Sequence, residues 1–267
     1  MPDCADCRRL RDDGQCGAFP KEWPLRPVNR LRVCSLAIVE EYCSLITSET
    51  RVLEIGCGTL SLVRDHCQRV RAVWEGVDVS AEYLGQPTIA TRLESVEFLS
   101  VPDEAYDLVV GTQTLEHWDQ NGVRPAVGLW ECFRACRPGG LVCMNVPVGL
   151  HGSREFLEGD LEAIAGLFHP FATDVTVEAW GRNREPMEPL KLVSRRFAPA
   201  GSFIADIRAW RNPGPLPERP SPYRIRSRRF REFAGHRLHY ALWRLGHRLG
   251  RLIGRPQGGV AQTEEDA

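Results

Sequence analysis

Long hydrophobic runs are missing from this chain of 267 residues: nowhere do ~18 apolar residues follow one another, which excludes a membrane-spanning helix. The first thirty residues, with Cys4, Asp6, Arg8, Arg9, Asp12 and Asp13, also lack the apolar stretch of a signal peptide, so the chain is expected in the cytosol. Lysine is nearly absent, with Lys21 and Lys191 the two among 34 basic residues. A GC-rich coding sequence produces such an arginine preference by itself, so it does not mark phosphate recognition. There is no internal repeat. What is present, 43% hydrophobic and 26% charged residues, sits near globular averages and argues against a disordered, collagenous or coiled-coil chain. The length suits one enzyme-sized core with an appendage. Ten cysteines scattered through a cytosolic core read as reduced packing residues rather than disulfides.

The net charge of −1 hides a polarity along the chain. Between Arg195 and Arg255 stand 15 arginines against Asp206, Glu218 and Glu232, so this segment carries +12 and the remainder −13. An acidic body with a basic arm points to contact between the arm and phosphate, in nucleic acid or on a membrane surface.

From about residue 35 to residue 180, short β-branched runs alternate with helical patterns, the signature of βαβ units around a parallel sheet. Strands are predicted at Val52 to Ile55, Ala72 to Val77, Val96 to Leu99, Leu108 to Val110 and Leu141 to Val146. The spacing of Val127, Trp130, Phe133 and Arg134 predicts a helix that starts at Pro125 and stops at Gly139-Gly140. Another helix is predicted from Asp160 to Phe168. Extended runs at Asp174 to Trp180 and Leu190 to Phe197 would close the sheet as an antiparallel hairpin, giving seven strands. Proline then becomes dense, at Pro199, Pro213, Pro215, Pro217, Pro220 and Pro222. The expected organisation is a cysteine-containing segment over 1–34, a core over 35–197, a proline-rich linker over 198–223, a basic helical arm over 224–256 and a disordered tail over 257–267.

The most informative stretch is Val52-Leu53-Glu54-Ile55-Gly56-Cys57-Gly58-Thr59-Leu60, an apolar strand that runs into a glycine turn and then a helix. Gly56 and Gly58 permit a sharp turn and close approach of a ligand, and the N–H groups at the start of the next helix can face its polar atoms. About twenty residues on, Asp78 ends the next strand, where a carboxylate can accept hydrogen bonds from both ribose hydroxyls of an adenosine-containing cofactor. A NAD-binding reading competes, but its fingerprint wants glycine at position 61, where Ser61 stands.

Four ordered motifs resemble the class I S-adenosylmethionine-dependent methyltransferases, particularly the small-substrate group called methyltransferase type 11. They are Glu54-Ile55-Gly56-Cys57-Gly58-Thr59; Val77-Asp78-Val79-Ser80; Tyr106-Asp107-Leu108-Val109-Val110-Gly111-Thr112-Gln113-Thr114-Leu115-Glu116-His117; and Arg137-Pro138-Gly139-Gly140-Leu141. The resemblance covers residues 50 to 147, with an extension to about 197. It implies an α/β, Rossmann-like, doubly wound fold and S-adenosylmethionine as cofactor. Under it Glu54 would orient the glycine loop and the methionine amino group, Gly56, Cys57 and Gly58 would pass beneath the methionine portion, Asp78 would hold the ribose, and Thr112 would face the methionine end. Two departures stand out: Leu60 replaces a third small glycine, and the acid expected after the third strand is missing, which leaves Ser100, a backbone group or Asp103 as the candidate adenine contact.

Methyl transfer needs a nucleophile aligned opposite the departing sulfur in a site shielded from water. A hydroxyl acceptor must also shed a proton, a task suited to histidine. His117 beyond the fourth strand and His151 beyond the fifth are the candidate catalytic residues, with Glu116 expected to fix backbone N–H groups or His117. Cys4-x2-Cys7 and Cys16 supply three thiols, one short of a structural zinc site, and no metal ligands are assigned. From Leu238 onward, Ala241, Leu242, Leu245, Leu249, Leu252 and Ile253 share one helical face, flanked by Arg237, Arg244, Arg248, Arg251 and Arg255. This arm over 238–255 could dock on the core or a second subunit, lie peripherally on the inner face of a membrane, or grip RNA. The function expected is methylation of an oxygen on a small molecule or glycan. An RNA methyltransferase, with nucleic acid the lesser partner, and a degenerate non-catalytic scaffold are the alternatives.

Overall fold

The computed structural model describes residues 29–83, 85–182, 188–192 and 196–221. The arm over 224–256 and the tail lie outside the described residues, as does the cysteine cluster Cys4, Cys7 and Cys16.

Buried strands need apolar residues on both faces, and the centre of the sheet meets that demand. In β1 (Arg51–Ile55) four successive residues are buried, and β1 lies parallel to β2 (Val73–Asp78), with Leu53 opposite Glu75, and to β6 (Tyr106–Thr112), with Leu53 opposite Val109. β6 pairs in parallel with β7 (Cys136–Pro147), and β2 with the two-residue β5 (Arg92–Leu93). On the other side β10 (Ser202–Arg211) runs antiparallel to both β7 and β8 (Ala172–Arg182), and β9 (Pro189–Leu192) turns back along β8. The sheet therefore has eight strands in the order β5-β2-β1-β6-β7-β10-β8-β9; β3 (Glu82–Tyr83) and β4 (Gln86–Pro87) form a separate pair.

Helices cover both faces. α1 (Asn29–Ser44) and α2 (Leu62–Val70) bury Ile38, Tyr42 and Val63 against Val52, Val110 and Ile204. α3 (Pro125–Ala135), α4 (Arg154–Glu158) and α5 (Leu161–Gly166) bury Leu129, Phe133, Phe156 and Ile164 against Leu53, Val109, Met144 and Ile207. Pro125 opens α3 and Asp160 starts α5 as expected, the latter capping it through the Ala163 amide, and Ser61 caps α2 by accepting from the Arg64 amide at 2.9 Å. The seven described cysteines are buried free thiols.

The structure corrects four expectations. The third strand is β5 at Arg92–Leu93, not 96–99; there Phe98 N–H closes a turn onto Ser95 O, which lets Val96 and Leu99 reach the core without an extended backbone. α3 stops at Ala135, before the glycine pair, because the Cys136 backbone is already extended and enters β7. α1 crosses the boundary placed at 34, and Cys34, fully buried, donates its thiol proton to Gly181 O at 3.0 Å. The linker expected over 198–223 holds β10, so the sheet has one strand more than predicted. β10 carries a buried acid, Asp206, which Tyr42 of α1 and Arg208 hydrogen-bond. The proline-rich stretch that follows is held to the core too: Leu216 lies on it, Trp130 Nε1 donates to Pro217 O at 2.9 Å, and the Arg219 guanidinium sits 4.5 Å from the Phe98 ring centroid. Among the described residues no helix is long and apolar enough to cross a membrane.

Candidate functional site

The carboxyl ends of β1, β2, β6 and β7 share one edge of the sheet, and every residue predicted for the site except Ser100 lies in or next to these strand ends. Glycine is required at both loop positions, with φ of +71° at Gly56 and +60° at Gly58. The two differ in surroundings. A Cβ on Gly56 would stand 2.8 Å from Thr114 Cβ, so the loop is wedged against the end of β6; a Cβ on Gly58 would meet nothing within 4 Å. The Gly56 and Cys57 amides donate to Val77 O, and the Gly58 amide donates to Asp78 Oδ2 at 2.9 Å. Asp78 also accepts from the Ser80 amide at 3.1 Å through Oδ1. The loop and the acid thus converge in space. Each carboxylate oxygen has a second lone-pair position beyond the one its amide uses, as two ribose hydroxyls would need. Leu60, the departure in the loop, is half-buried and packs into neither core cluster.

Glu54 lies at the end of β1 with 4% exposure, and accepts from Ser61 Oγ at 2.5 Å and Trp74 Nε1 at 2.8 Å. Burial pushes its carboxyl up to about 7, against the pull of those two donors. It ties β1 to the cap of α2 and to β2, and so braces both sides of the loop. The Cys57 thiol is pushed up to about 12 by burial and serves as a small packing atom rather than a thiolate.

Thr112 ends β6 opposite Asn145 of β7. Beyond it Gln113 adopts a left-handed φ of +51°, its amide donating to Asn145 O at 2.9 Å, and this reversal sends the chain into the 3₁₀ turn Leu115–His117. His117 and His151, 34 positions apart in sequence, meet because β6 and β7 are parallel neighbours. Their rings stack at a centroid distance of 4.8 Å and 21° between planes, and each Nε2 lies 3.7 Å from Glu116 Oε1. Of the two roles expected for Glu116, it fixes no backbone N–H group and faces His117 instead. Its side chain has 0% exposure, and neither oxygen accepts a hydrogen bond. The strand ends that carry both histidines were legible in the sequence, but their convergence on Glu116 arises from the pairing of β6 with β7.

Ser100 sits elsewhere. It is exposed, accepts from Arg92 Nη1 at 3.0 Å and donates its amide to Glu94 Oε2 at 3.1 Å. With the third strand at Arg92–Leu93, the acid that follows it is Glu94, whose amide donates to Asp78 O at 2.9 Å and whose Oε1 is buried without a hydrogen-bond partner. The acid that seemed missing is present; the displaced strand assignment concealed it.

Residues 53–144 match the model of a methyltransferase domain family, Methyltransf_11. A curated protein of Mycolicibacterium smegmatis, described as a probable S-adenosylmethionine-dependent methyltransferase, is 35% identical over 101 residues, a match that spans 36% of this chain and 37% of the relative. The chain thus aligns with little more than a third of that relative's length. Among solved structures, a SAM-dependent methyltransferase from Archaeoglobus fulgidus is 19% identical with a TM-score of 0.48, covering 68% of this chain and 94% of its own. A possible histamine N-methyltransferase from Thermotoga maritima is 16% identical with a TM-score of 0.47, covering 68% and 91%. Glycine loop, strand-end acid and family match coincide in one stretch, and residues 53–144 are similar to a methyltransferase domain.

Proposed function

We propose that this chain binds S-adenosylmethionine at the Gly56–Gly58 loop and catalyses transfer of its methyl group to an oxygen of a small molecule or glycan. The observation that carries the reading is the 2.9 Å contact between the Gly58 amide and the Asp78 carboxylate, beside a glycine whose side-chain direction is open. Bound there, the cofactor supplies a methyl group already activated by its sulfonium. Asp78 holds the ribose hydroxyls, Glu94 stands at the adenine end, and Thr112 and the braced loop set the methionine end. The acceptor meets the other side of the crevice, where His117 and His151 end neighbouring strands; with no further group present, Nε2 of either imidazole takes the proton that a hydroxyl sheds. Little more is needed from the protein, because alignment and exclusion of water lower the barrier of a displacement whose leaving group is ready.

The basic arm over 238–255 brings the site to anionic surfaces, which suits an acceptor carried on lipid. The test is incubation of the full chain with methyl-labelled S-adenosylmethionine and hydroxyl-bearing acceptors, free and lipid-linked. Label in an acid- and base-stable ether fits O-methylation, label in an amine displaces it, and no label in any acceptor despite cofactor binding removes the catalytic reading.

A further inference from the structure

We propose that Glu116, His117 and His151 form a binding site for a divalent transition metal of the zinc class, with an open position that takes an oxygen of the acceptor. One ligand atom from each of the three residues falls within 4.8 Å of the other two. Two imidazole nitrogens and one carboxylate oxygen are the donor set of catalytic zinc, three protein ligands with a further position left for solvent or substrate.

The distances discriminate between a metal site and a simple hydrogen-bonded cluster. An imidazole N–H donating to a carboxylate would close to about 2.7 to 3.2 Å, whereas both Nε2 to Glu116 Oε1 distances are 3.7 Å. Two ligands held ~2.0 to 2.1 Å from a tetrahedral zinc ion are separated by roughly 3.3 to 3.4 Å. Both Nε2–Oε1 edges are thus too wide for the hydrogen bond and near the metal edge, and the three ligand atoms, within 4.8 Å of one another, close up further when they take the ion.

Burial supplies the second argument. A carboxylate with 0% exposure and no hydrogen bond to either oxygen is a costly group to leave in place. A cation bound on the side where the two imidazoles converge offsets that cost directly. The site is also reachable: the His117 and His151 side chains keep 21% and 17% of their exposure while the acid behind them keeps none. Gly152 makes the approach possible, because at φ +103° it brings the backbone beside His151 against Glu116, where a Cβ would stand 3.0 Å from Glu116 Cβ.

The metal site itself does not depend on the methyl-transfer reading; its role toward the acceptor does. A metal at this point lowers the pKa of a coordinated hydroxyl, as it does that of bound water. The two imidazoles then act as ligands rather than bases. The hydroxyl proton passes to solvent, an oxygen lone pair forms the new bond to the methyl carbon, and the carbon–sulfur pair returns to sulfur, leaving a neutral thioether. Acceptors with two adjacent oxygens, such as vicinal diols or hydroxy acids, match this site best where the ion expands to five-coordinate and takes both.

The experiment measures bound metal in the full chain carrying C4S, C7S and C16S, which removes the other candidate zinc ligands. After exposure to zinc and gel filtration, about one equivalent is expected, with a higher unfolding temperature than the metal-free chain. His117→Ala, His151→Ala and Glu116→Gln should each weaken binding by at least about 100-fold and abolish the thermal shift. Circular dichroism identifies any variant that has simply unfolded. Cobalt should give a visible spectrum without the near-ultraviolet charge-transfer band of a thiolate ligand. Absence of metal, retention of full affinity in the three variants, or a thiolate band overturns the proposal. Titration with S-adenosylmethionine on the same samples keeps the two readings apart: zinc bound without cofactor binding leaves the metal site standing and removes the methyl transfer.

Discussion

Replacing Gly58 by Ala tests whether the open side of the loop is a ligand cradle. Gly58 has φ +60°, so an alanine there adopts the left-handed region at a cost of about 1 to 2 kcal/mol. No collision adds to this, because nothing stands within 4 Å of the new Cβ, and the amide that binds Asp78 is retained. For a chain of this size the penalty lowers the unfolding midpoint by about 2 to 8 °C. The methyl group nevertheless projects into the space assigned to the cofactor, and its affinity for S-adenosylmethionine should fall at least ~10-fold, which is 1.4 kcal/mol. Gly56→Ala is the control with the opposite balance. It carries the same backbone penalty at φ +71° and a Cβ forced to 2.8 Å from Thr114 Cβ, so it should lose distinctly more stability than Gly58→Ala. Isothermal titration and thermal unfolding of the two variants supply both numbers. Unchanged cofactor affinity in Gly58→Ala would refute the cradle, whatever its effect on stability.

Asp78→Ala should weaken cofactor binding by roughly 1 to 3 kcal/mol and leave the Gly58 and Ser80 amides without their acceptor; an unaltered dissociation constant would mean that the ribose lies elsewhere. Glu54 predicts a pH effect with a definite sign. Its carboxyl is raised from 4.5 to about 7, so the folded chain keeps a proton that the unfolded chain has already released, and stability declines as pH rises through that window by up to about 3 kcal/mol. Denaturant unfolding at pH 5 and pH 8 should show a smaller difference in Glu54→Gln than in the wild type, while the contribution of Asp206, raised to about 6, persists in both. In the core, Phe133→Ala should cost about 3 to 5 kcal/mol, since the ring is fully buried and stacks on Phe171 at 5.3 Å; a cost below 1 kcal/mol would contradict that packing.

The parts of the fold that were legible in the sequence are those set by short-range chemistry. Gly56, Gly58 and Asp78 announce themselves because a strand end, a positive φ and an acid about twenty residues on are local properties. Pro125 and Asp160 mark helix starts for the same reason. β10 was hidden by the prolines on either side of it, although 200–212 contains none, and its central residue, Asp206, reads as polar until Tyr42 and Arg208 are seen beside it. β5 has two residues, too few to show any period, so the apolar spacing of Val96 and Leu99 drew the strand assignment to a turn and hid Glu94. The meeting of Glu116 and His117 with His151 depends on the neighbouring places of β6 and β7, which no local pattern encodes.

The central claim, that the glycine loop and Asp78 form one adenosyl pocket, is tested most directly by calorimetric titration of the intact chain with S-adenosylmethionine. Saturable heat at one ligand per chain, reached well below ~1 mM ligand and diminished in Asp78→Ala, is the predicted result. No heat at that concentration, or the same binding curve in both proteins, would contradict it.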